Sequence, residues 1–220
     1  MNKYQELLDK YKDIPKQRSE LIGYEVAQTN EQPHLPRCYI VGDSISISYT
    51  EPVRKKLAGF ANVIRPPYNC KTSEFLKSKL EEMFNIGKID VCSLNVGIHD
   101  TMSDRFVPIE NYRYNLKQIV EFIATRTQVF WVTTTRFFGP PRLRPLADSF
   151  LHNDYCQASK EVMQQIGIDI CNLEPFINTL SIGNGVKDDG MHFTPESYEK
   201  IGDIVAQEFQ KRLPEPIKIL

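Results

Sequence analysis

Five short apolar runs punctuate the chain: CYIVG (38–42), NVIRP (62–66), IDVCSLNVG (89–97), QVFWVTTT (128–135) and IDICNL (168–173). Each reads as a strand with little polar alternation, the pattern of a strand buried on both faces. Helical spacing fills the gaps between them. Ile109, Tyr112, Leu116, Ile119, Val120 and Ile123 form one apolar stripe over 109–125, and Tyr198, Ile201, Val205, Phe209 and Leu213 form another. Continuous apolar strands separated by helices require a parallel sheet covered on both sides, so the expected architecture is a three-layer α/β/α sandwich.

With 220 residues, 41% of them hydrophobic, the chain can bury one sizeable core. Residues 1–34 read as a helical extension and linker, with Tyr4, Leu7, Leu8 and Tyr11 giving a short amphipathic helix over 2–14. Residues 35–220 read as the main domain. A formal net charge of -1 offers no basic footprint for nucleic acid or an anionic membrane surface. The opening MNKYQELLDKYKDIPKQRSE has no apolar core for a secretory signal and no run is long enough to span a bilayer, so a cytoplasmic protein is expected. Five cysteines without a C-x-x-C spacing are expected as reduced, mostly buried thiols. Neither face of the N-terminal helix is marked for a partner, so the oligomeric state is not readable.

In a sheet of this kind ligands bind beyond the carboxyl ends of the strands, and unusual residues collect there. The first strand ends in VGDSIS (41–46), where a serine either caps the next helix or exposes a nucleophilic hydroxyl. Near the C-terminus, KDDGMHFTPESYEKIG places Asp189 three residues before His192. Thr194 fits a helix N-cap and Pro195 the first helical position. A carboxylate on one ring nitrogen of an imidazole leaves the other free to face a hydroxyl. Singly, Ser44 is a candidate cap and Asp189–His192 a candidate surface pair. Jointly they form Ser, Asp and His in chain order, each placed at the expected crevice.

These blocks resemble the SGNH hydrolases, the GDSL-like lipase/acylhydrolase superfamily, over about residues 35–210. Gly42-Asp43-Ser44 matches the first block and Asp189-x-x-His192 the last. The resemblance implies a flavodoxin-like fold with strand order 2-1-3-4-5, Ser44 as nucleophile, and an oxyanion hole that includes the Ser44 N–H. Two blocks depart from the pattern. The second reads Arg65-Pro66-Pro67-Tyr68-Asn69-Cys70-Lys71-Thr72 without glycine, which leaves Cys70 or Lys71 to supply the next backbone donor, Lys71 being taken. The third reads Gly97-Ile98-His99-Asp100 where asparagine is usual, and a neutral imidazole at His99 can donate in its place. Asp43 is expected to order the turn around Ser44.

The reaction expected is hydrolysis of a short-acyl ester, such as an O-acetyl group on a carbohydrate, through an acyl-enzyme. No cofactor or metal is called for. A metal set of His99, Asp100, Asp189 and His192 would leave Ser44 without a role. Transfer of the acyl group to another alcohol would use the same residues, and a ligand-binding protein on this scaffold is the other alternative. Asn69, Asp100, Arg136 and Asn153 are candidate substrate contacts. The aromatic, proline-stiffened and basic stretch 136–145 is a candidate pocket wall able to bind an anion.

Overall fold

The computed structural model of the protein describes residues 2–12, 23–102, 104–138 and 149–213. Positions 13–14 of the expected first helix, and 139–145 of the expected pocket wall, lie outside them. Helix α1 spans Lys3–Asp9, capped by Asn2, and α2 Tyr24–Ala27. From there strand and helix alternate: β1 Arg37–Val41, α3 Ser44–Lys56, β2 Asn62–Ile64, α4 Ser73–Phe84, β3 Val91–Leu94, α5 Ile109–Ala124, β4 Gln128–Val132, α6 Ser149–Gln165 and β5 Ile170–Cys171. A short α7 (Glu174–Ile177), the two-residue strands β6 (Ser181–Ile182) and β7 (Gly185–Val186), and α8 (Pro195–Gln210) complete the described elements.

The five long-range strands form one parallel sheet in the order β2-β1-β3-β4-β5, the order the resemblance implies. Alternate side chains leave each strand on opposite faces. Tyr39, Val41, Cys92, Leu94, Val129 and Trp131 join α1, α4, α5 and α6 in one core. Cys38, Ile40, Val63, Val91, Phe130 and Val132 join α3 and α8 in the other. This two-sided burial explains why the strands read as unbroken apolar runs. Each fully buried large side chain contributes about 1.5–3 kcal/mol.

Two contacts set the geometry of the crevice. A Cβ on Gly202 of α8 would stand 2.3 Å from the Pro52 Cβ of α3, so glycine there lets the two helices approach closely. On the other face, the buried Tyr4 hydroxyl lies 2.6 Å from the Ala27 carbonyl and 2.8 Å from that of Arg65, tying α1 to the segment after β2. All five cysteines are buried and none is in a disulfide, and burial pushes the thiols of Cys70, Cys156 and Cys171 up to about 12. Among the described residues no helix is long and apolar enough to cross a membrane.

Candidate functional site

The turn after β1 resolves the two readings of VGDSIS. Asp43, not Ser44, is the N-cap of α3: its Oδ1 accepts from the Ile45 N–H at 3.0 Å. Ser44 is therefore the first helical residue, half-buried, with its hydroxyl released from capping. A backbone N–H in the first turn of a helix has no intrahelical acceptor and points along the positive end of the dipole. Gly42 allows the turn to pass under the neighbouring strand end, since a Cβ there would meet the Asn95 carbonyl oxygen at 2.8 Å. Burial raises the Asp43 carboxyl to about 6, opposed by the Ile45 N–H, the charges of His192 and Arg65, and the Ser46 backbone.

Ser44 Oγ lies 2.9 Å from His192 Nε2, and His192 Nδ1 lies 2.7 Å from Asp189 Oδ2. The other Asp189 oxygen accepts the backbone N–H groups of Met191 (2.9 Å) and His192 (2.8 Å). Burial works to raise this carboxyl, but the bonds from His192 and Met191 outweigh it and hold it below the usual carboxylate range. An ionised carboxylate can only accept, so the imidazole proton sits on Nδ1 and Nε2 faces the serine hydroxyl. Thr194 caps α8 and Pro195 starts it, as the sequence pattern implies. A bridge between Val186 and Phe193 closes the turn that carries Asp189 and His192.

The opposite side of the crevice is built differently. In the turn after β2, the Cys70 N–H donates to the Gly42 carbonyl at 3.2 Å and the Lys71 N–H to Asn69 Oδ1 at 2.8 Å. Lys71, expected as the second oxyanion donor, has its N–H directed into this turn, where its φ is +49°. The asparagine side chain thus takes up the Lys71 amide within the turn. Asn69 itself is buried, and with Oδ1 occupied its Nδ2 makes no hydrogen bond among the described residues.

His99 opens a 3-10 turn (His99–Thr101) beyond β3, and its Nδ1 lies 3.0 Å from Arg105 Nη1. A guanidinium only donates, so Nδ1 accepts and the ring proton is on Nε2. Asp100, expected to touch substrate, is fully buried and takes the Ser73 N–H at 3.0 Å and the Ser73 hydroxyl at 2.5 Å. Its carboxylate anchors the start of α4 to the His99 turn, away from the crevice. Burial pushes it up to about 7 against the pull of those Ser73 bonds.

Sequence reasoning missed Arg65. Its guanidinium is buried and reaches Thr50 Oγ1 (3.2 Å) and Ser46 Oγ (3.4 Å) on α3 and the carbonyls of Pro66 (3.3 Å) and Tyr68 (3.5 Å). Nothing in the local pattern marks an arginine for burial. The remaining expected contacts, Arg136 and Asn153, line a separate cavity past β4 and β5. Among the described residues no group of three or more His, Cys, Asp or Glu is arranged to hold a metal ion.

A lipase/acylhydrolase from Enterococcus faecalis superposes with a TM-score of 0.72 at 21% identity, over 83% of this chain and 99% of that one. A GDSL-like lipase from Bacteroides thetaiotaomicron gives 0.67 at 17% identity, over 86% and 94%. A carbohydrate acetylesterase from Sinorhizobium meliloti gives 0.64 at 13% identity, over 80% and 99%. The chain has the SGNH hydrolase fold. No family model matches the sequence and no curated protein matches it. In this SGNH fold Ser44, His99 and the 189–192 turn all lie at the carboxyl edge of the sheet, where open α/β sheets bind ligands.

Proposed function

We propose that the protein is a serine ester hydrolase of the SGNH superfamily that removes a short acyl group, with an O-acetylated carbohydrate as the substrate class. The observation that carries this reading is the hydrogen-bonded chain from Ser44 Oγ through His192 to Asp189, at 2.9 and 2.7 Å. In the proposed mechanism His192 Nε2 takes the Ser44 proton as Oγ attacks the ester carbonyl, and Asp189 holds the imidazole tautomer and stabilises the imidazolium. The alcohol leaves with the proton from His192. Water then enters by the same route and releases the acid. The developing oxyanion is met by the Ser44 N–H at the start of α3, by Asn69 Nδ2 in place of the engaged Lys71 amide, and by His99 Nε2–H. Support for the substrate class comes from the acetylesterase neighbour and from polar residues past β4 and β5.

The test is hydrolysis of p-nitrophenyl acetate by the protein and by Ser44→Ala, with a fluorophosphonate label located by mass spectrometry. Turnover and a label on Ser44, both lost in the variant, are expected. A folded protein that neither turns over the ester nor takes the label would refute the reading.

A further inference from the structure

A cavity of about 230 Å³ opens beyond the ends of β4 and β5. Thr133, Thr134, Thr135, Arg136, Asn153 and Asn178 give it polar walls, while Leu173 and Ile177 supply apolar surface. The side-chain amides of Asn153 and Asn178 make no hydrogen bond among the described residues. Glu174 also borders the cavity, but its carboxylate is paired with Lys160 at 2.5 Å. Arg136 is different: it is exposed, has no carboxylate partner among the described residues, and stacks its guanidinium 4.6 Å from the centre of the Phe138 ring. Stacking fixes the plane of the fork and leaves its N–H groups available for the paired oxygens of an anion.

The cavity is coupled to both sides of the candidate active site. The Phe138 N–H donates to the Gly190 carbonyl at 2.9 Å, inside the turn that carries Asp189 and His192. Thr134 Oγ1 donates to the Val96 carbonyl at 3.2 Å, three residues before His99. One strand, β3, separates β1 from β4, so Ser44 and the cavity stand about 10 Å apart by sheet spacing alone. An acetyl group bound at Ser44 does not reach that far, but a sugar unit next to the acylated one does.

We propose that this cavity is a subsite for an anionic glycosyl unit, one carrying a carboxylate or a sulfate, with Arg136 holding the anion and the side-chain amides of Asn153 and Asn178 meeting the sugar hydroxyls. The position assigned to the unit rests on the ester-hydrolase reading; the binding itself does not. An O-acetylated disaccharide offered in uronate, sulfated and uncharged forms tests it, with p-nitrophenyl acetate run alongside. At least one charged form is expected to show a kcat/KM about 10- to 100-fold above the uncharged form, the worth of a charge-assisted hydrogen-bonded pair. Arg136→Gln should bring that ratio close to one. Equal rates for all three forms in the native protein overturn the proposal, as does a preference that survives Arg136→Gln. If p-nitrophenyl acetate is not hydrolysed, the ester-hydrolase reading fails alone, and calorimetric titration with digalacturonate and a sulfated disaccharide decides the subsite. Saturable binding abolished by Arg136→Gln supports it, and no binding of either sugar to the native protein overturns it.

Discussion

The two sides of the crevice are held by different devices. Ser44 and His192 are positioned by helix starts: Asp43 caps α3 directly before the serine, and Thr194 caps α8 two residues beyond the histidine. Asn69 and His99 sit in turns held by side chains: Asn69 bonds the Lys71 N–H within its own turn, while Asp100 beside His99 reaches Ser73 at the start of α4 and Arg65 reaches Ser46 and Thr50 on α3. A helix start is specified within a few residues, whereas the Asp100 and Arg65 bonds join residues 15 to 27 positions apart in the chain. Damage to the first side should therefore be chemical and local. On the second it should spread into geometry.

The sharpest break of this comparison is at the proposed nucleophile and base. Ser44→Ala or His192→Ala should each lower kcat on p-nitrophenyl acetate by at least about 10⁴-fold with little change in melting temperature, and the double variant should lose scarcely more. Full additivity would mean that the two do not act as a unit. On the loop side, His99→Ala should cost about 10²- to 10³-fold in kcat, the range for one oxyanion donor. Asn69→Ala removes both a donor and the acceptor that holds the Lys71 amide, so it should reduce kcat and also lower the melting temperature. An Asn69→Ala enzyme with native kcat would remove that residue from the oxyanion hole.

The Asp100 post can be separated by pH. Its carboxyl is raised to about 7 in the folded protein, so between its ordinary value and 7 the folded state holds a proton that the unfolded state has released. Stability from this group is fully present at acid pH and declines as pH rises through that window, by a few kcal/mol in all. Asp100→Asn should flatten that slope in urea titrations between pH 4 and 7; an unchanged slope would show that another group produces it. Smallest is a change in packing on the helix side. Gly202→Val forces a side chain against Pro52 and should cost about 1–3 kcal/mol by overpacking, with kcat falling only as far as α3 and α8 are pushed apart.

The same contrast explains what the sequence revealed. The stripe from Ile109 and the Thr194-Pro195 signal marked α5 and α8 almost to the residue, because periodicity and capping are local. The first turn was legible only in part: two capping residue types stand side by side in Asp43-Ser44, and the structure gives the cap to the aspartate. The engagement of the Lys71 amide by Asn69 was not legible, because no pattern discloses the direction of that side chain. Asp100 reads as a crevice residue from its place after β3, but its partner is Ser73, 27 positions away. Arg65 was invisible for the same reason, since its partners on α3 are brought to it only by the pairing of β1 with β2.

Ser44 and His192 are 148 residues apart in the chain, and they meet because α8 packs on α3. The candidate active site is thus closed by one of the longest-range contacts in the molecule, and such a contact requires a loop closure that local helices do not. During refolding, Ser44 and His192 can meet only once α8 has docked on α3. Recovery of ester turnover would then time the arrival of α8, making catalysis a clock for the final step of assembly.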